Sequence, residues 1–108
     1  MTAKQVLEKA NINFVEKRTL SDEYCEVVIV KRDLALLNQV LTGLIEAAVK
    51  PEGMQPTHEQ STLTKGFGGI NSNQVLYKKE FANTVVIAML WPWSDGMHIT
   101  VKIISQKK

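Results

Sequence analysis

The chain has 108 residues, 44% of them hydrophobic and 22% charged, and a formal net charge of +2. At 12.1 kDa, surface scaling leaves roughly 6,000 Å² exposed when folded against roughly 17,500 Å² unfolded. Residues 1–108 therefore suit one self-supporting domain and exclude two. A disordered polar tail is excluded by the hydrophobic fraction. One cysteine and two histidines exclude a disulfide framework and a zinc finger.

Residues 1–54 carry seven Lys/Arg against eight Asp/Glu, and residues 55–108 carry six against three. The clusters of the basic half, Lys78–Lys79 and Lys107–Lys108, are too sparse for the stripe that nucleic-acid domains present. No apolar run approaches the roughly 18 residues that span a bilayer, and the amphipathic start lacks a signal-peptide core. The expectation is a soluble cytoplasmic protein with a reduced thiol.

In chain order, Thr2 and Gln5 have capping-box spacing, and Val6, Leu7 and Ala10 give a short first helix its apolar stripe, closed by Asn11. Ile12–Arg18 reads as a weak strand and Thr19–Asp22 as a turn. Tyr24–Lys31 is a better strand, with Cys25, Val27 and Ile29 on one face. Asp33 is placed to cap a long helix reaching about Val49, in which Leu34, Leu37, Leu41, Leu44, Ile45 and Ala48 form one stripe. Lys50-Pro51-Glu52-Gly53 stops it. Residues 51–73 show no period and read as a long, mobile loop, of the kind that is usually functional. Three antiparallel strands follow: Gln74–Phe81, then Thr84–Trp91, apolar at nearly every position, then a strand from His98 after the Asp95-Gly96 turn. The expected class is α+β, in the order α-β-β-α-loop-β-β-β, with a mostly antiparallel sheet packed against one long amphipathic helix.

The long helix carries no charge between Asp33 and Glu46. Its back face of Leu36, Gln39, Gly43 and Ala47 reads as covered, and the simplest cover is a second copy on a two-fold axis. Gly43, costly in a helix interior by about 1 kcal/mol, would permit the close approach. The glycine-rich stretch Lys65, Gly66, Phe67, Gly68, Gly69 and Asn71 is a candidate ligand or partner loop, because glycine amides can turn towards an anion. Its spacing fits neither the phosphate loop nor the dinucleotide fingerprint. Trp91 and Trp93 are candidate partner contacts, with Trp93 the more exposed. Lys78, Lys79 and Lys102 read as a solvated face. Cys25 reads as a small buried residue, and neither His58 nor His98 has the spacing of a catalytic or metal set. These observations favour a homodimeric, non-catalytic binding or adaptor protein with a protein partner, without cofactor or metal. The alternative is an anion- or nucleotide-binding protein, or a minor enzyme, using loop 64–73.

Overall fold

Local signals set the element ends. A computed structural model describes all 108 residues. The first helix, α1 (Ala3–Ala10), is opened by the reciprocal Thr2–Gln5 bonds at 3.1 and 2.9 Å and closed by left-handed Asn11. Next come β1 (Glu16–Leu20) and β2 (Tyr24–Val30). The helix α2 (Leu34–Ile45) follows a single 3₁₀ turn, so Asp33 precedes it without a side-chain capping bond. The rest is a short helix, α3 (His58–Thr64), a 3₁₀ turn at Lys65–Phe67, and the strands β3 (Val75–Glu80), β4 (Thr84–Pro92) and β5 (His98–Lys107).

The domain is α+β. Its five strands lie in the order β1-β2-β5-β4-β3, and every neighbouring pair is antiparallel. Alternation decides which side chains face which layer. On one face Val27, Ile29, Val86, Ala88, Val101 and Ile103 meet Val6, Leu7, Leu37, Leu41 and Ile45 of α1 and α2. On the other, Leu76, Ile87, Met89 and Ile104 pack with Ile70, Leu63 and Phe67. This second cluster is why residues 51–73 are not a plain loop: the sheet has a second apolar face, and α3 with its 3₁₀ turn covers it. Thr57 and Gln60 open α3 with the same capping box that opens α1.

The long helix is shorter than its stripe predicts. It stops at Ile45, where Glu46 takes φ +67°, because the following backbone is drawn to the edge of the sheet. Val49 and Lys50 donate to the Leu76 carbonyl, and Leu76 donates back to Lys50. Ala48 and Val49 therefore belong to this edge segment. The first strand also begins later than its sequence suggests, at Glu16, and includes Thr19 and Leu20.

Lys50 fastens the arrangement. Only 1% exposed, its ammonium donates to the carbonyls of Pro51, Ser72 and Gln74. Burial pulls its pKa below the ordinary lysine value, yet three carbonyls compensate the charge. Lys50→Met fills the same space and takes the ammonium from all three carbonyls, orphaning that of Gln74, whereas Ser72 and Pro51 still accept from the Gly53 and Met54 amides. The expected loss is about 2 kcal/mol of stability in urea unfolding, in keeping with the cost of one orphaned buried polar group.

Candidate interaction face

On the α3 side of the sheet, strands β1, β2, β5 and β4 bring aromatic and charged residues together. Glu26 and Lys102 are directly opposite on β2 and β5, and Trp91 faces Thr100 across β4 and β5. A bulge in β1 between Lys17 and Thr19 aims Arg18 at this face, where its guanidinium donates to Glu26 at 3.0 Å and to Glu16 at 3.2 Å. Tyr24 O–H donates to the other Glu26 oxygen at 2.6 Å. The Tyr24 bond, with help from Arg18, holds the Glu26 carboxyl below the usual carboxylate range. Burial, reinforced by Glu26, pushes the Tyr24 phenol up.

Lys102 is the centre of the face. It is 8% exposed; its ammonium lies 3.4 Å from the Trp91 ring centroid and donates to the Phe67 carbonyl at 2.9 Å. Burial lowers its pKa, and Glu26 opposes the shift. Trp91 Nε1 is buried without a partner. An orphan of that kind costs about 1–3 kcal/mol, which a desolvated cation–π contact of about 2 kcal/mol offsets. Lys102 is therefore not part of a solvated lysine face. Lys78 and Lys79 lie on opposite faces of β3 and pair with Glu59 and Glu46.

The glycine-rich loop lies on this face. Phe67 stacks on Tyr24 with ring centroids 6.1 Å apart. Gly68, at φ +100°, sits against Trp91 and Lys102 so closely that a Cβ would collide with the indole. Two of the loop amides are used internally: Gly69 donates to the Thr64 carbonyl, and Asn71 donates to Gln74 Oε1. Lys65, Gly66 and Asn71 are exposed and sit apart from the Phe67–Gly68–Trp91 contact. An anion cradle finds little support in this geometry.

Trp93 lies just past the end of β4, and its contacts with Thr100 and Arg18 place its indole on the same face as Trp91. It is 38% exposed. Its Nε1 donates to Thr100 Oγ1 at 2.8 Å, its ring packs on His98 at 4.9 Å, and Arg18 lies 6.0 Å above it. Asp95 fixes the hairpin by accepting from the Met97 and His98 amides and bonding the His98 ring at 2.6 Å.

Leu36, Gln39 and Gly43 are exposed on one side of α2, whereas Ala47 is exposed beyond its end. Cys25 is buried on the opposite side of the sheet, donating to the Ser21 carbonyl, and burial pushes its thiol up. His58 is exposed at the start of α3. No three His, Cys, Asp or Glu residues cluster as metal ligands, and no helix is long and apolar enough to cross a membrane.

Sequence reasoning missed Arg18, Tyr24, Glu26 and Lys102. Two-residue alternation along β2 and β5 carried the signal for Tyr24, Glu26 and Lys102. The bulge that redirects Arg18 left none. Comparison with protein families, curated proteins and solved structures finds no match.

Gly68→Ala combines a strained positive φ with the collision against Trp91. It should lower stability by about 2–4 kcal/mol and displace the Trp91 indole from its packed position, read as a red-shifted tryptophan emission. Gly66→Ala, with open space at its Cβ, should leave the emission unchanged.

Proposed function

We propose that the protein is a non-catalytic binding module that works as a homodimer and engages a protein partner through Trp93, Arg18 and Trp91. The observation that carries the reading is the pinned, exposed indole of Trp93. Its orientation is fixed by Thr100 and His98 before any partner arrives, so little side-chain entropy remains to be lost on binding. Tryptophan and arginine are the residues on which interface energy concentrates, and here they are adjacent. Trp93→Ala should weaken capture of a purified partner by about thirtyfold or more, the effect of a hot-spot truncation of roughly 2 kcal/mol. The melting temperature should stay near that of the wild type. Undiminished affinity would remove Trp93 from the interface.

The proposed self-association rests on α2. Leu36 is 45% exposed, and nothing lies within 4 Å of a Cβ built on Gly43. In a monomer, Gly43→Ala gains helix propensity, about 1 kcal/mol of stability. Where a second helix packs on that glycine, the added methyl pushes the two apart. Sedimentation equilibrium of wild type and Gly43→Ala separates the two. The dimer reading expects a two-chain mass for the wild type and weaker association for the variant. A single-chain mass with a more stable variant overturns it.

A further inference from the structure

The helical face of the sheet is not filled at one end. Near the first turns of α2 lies a cleft of about 400 Å³, within the size range of small-molecule sites. Buried Tyr77, Leu90 and Ile99 line it, together with Leu34, Ala48 and Val75. Lys31 and Glu52, both exposed, also line it, one charge of each sign. His98 borders the cleft, but its ring is engaged by Trp93 and Asp95.

The polar content of the cleft is small and directional. Tyr77 O–H donates to Asn38 Oδ1 at 2.7 Å. Burial pushes the Tyr77 phenol up, which keeps the proton that this bond uses in place. That bond uses the Asn38 oxygen and leaves Nδ2, with two N–H groups, as what the side chain offers. A mostly apolar lining, with Asn38 Nδ2 left without a protein partner and the charged Lys31 and Glu52 exposed, fits a ligand with an acceptor on an apolar body. With Lys31 and Glu52 as its charged residues, the lining carries no net formal charge to offset the cost of desolvating an ionic ligand.

We propose that this cleft binds an uncharged, largely apolar small molecule through one carbonyl-type acceptor, to which Asn38 Nδ2 donates. The cleft lies on the other side of the sheet from Trp91 and Lys102, although Trp93 reaches its rim; the inference rests on Asn38 and the apolar lining and not on the partner reading.

Three probes of similar size separate the contributions: acetophenone, ethylbenzene, which lacks the acceptor, and benzoate, which adds a charge. They are titrated into ¹⁵N-labelled protein and followed by NMR. Acetophenone is expected to move the Asn38 side-chain amide and the backbone amides of Leu34, Val75 and Ile99. Ethylbenzene should act on the same backbone amides about tenfold more weakly, the value of one neutral hydrogen bond, and benzoate should leave them in place. Asn38→Leu should make acetophenone and ethylbenzene equal, and Ala48→Trp should block both by filling the cleft. If either variant fails to fold, the wild-type comparison of the three probes still decides. No shift at these residues up to the solubility limit of acetophenone overturns the site. Equal binding of ethylbenzene overturns the role of Asn38, and binding of benzoate as tight as that of acetophenone overturns the uncharged class.

Discussion

A sheet apolar on both faces is the constraint on which the rest of this structure depends. Val86, Ala88 and Leu90 of β4 point one way, and Ile87 and Met89 point the other. In β5, Ile104 points away from Ile103 and Val101. Leaving a residue such as Ile87 or Met89 in water forfeits roughly 1.5–3 kcal/mol each. The helices α1 and α2 cover only one side. Residues 58–70 must cover the other, although they contribute few large apolar side chains of their own: Leu63, Phe67 and Ile70.

So thin a cover needs anchoring, and two buried lysines supply it. Lys50 holds the carbonyls of Pro51, Ser72 and Gln74, and Lys102 holds that of Phe67. Burying one ammonium costs several kcal/mol even after relaxation, while each hydrogen bond to a charged group returns about 1.5–3 kcal/mol. Lys50 balances that cost with three carbonyls. Lys102 has one, and adds the Trp91 face and the Glu26 carboxylate opposite it. Both lysines grip backbone and so fix the path of a segment whose side chains hold it weakly. The Trp91 orphan Nε1 fits this account, since the ring is placed for its face and not for its N–H.

Much of this was legible where one period ran uninterrupted. The alternation in Tyr24–Lys31 and in the last strand gave β2 and β5, and the apolar run from Thr84 gave a central strand covered on both faces. The leucine stripe gave α2 but not its end, because Val49 and Lys50 are taken by the Leu76 backbone, a contact between segments 26 residues apart. The helix α3 was missed although Thr57 and Gln60 repeat the spacing of Thr2 and Gln5. Only Leu63 marks an apolar face in His58–Thr64, so the cap had no stripe to support it. Lys102 was misread for a related reason. Alternation placed it on the side of His98 and Thr100, and a polar row looks solvated until a covering segment is known. Glycines at 66, 68 and 69 marked the segment as special, but of these only Gly68 is demanded by a close approach, to Trp91 and Lys102.

The same features bear on how this chain can meet a copy of itself. A sheet protein commonly associates through an open strand edge, and both edges here are obstructed. At β3, the Val49–Lys50 backbone already pairs with Leu76. At β1, the exposed Glu16, Lys17 and Arg18 and the bulge at Arg18 are the devices that discourage strand addition. Continuous β-pairing is therefore disfavoured at either end. The helical layer differs, because Leu36, Gln39 and Gly43 leave α2 uncharged on its outer side. Leu36 also borders a shallow groove with Phe14 and Val15, the latter 55% exposed. A stable interface needs about 800 Å² from each partner. Three helical residues fall short of that area, and continuity with the Phe14–Val15 groove enlarges the surface on which the proposed self-association rests.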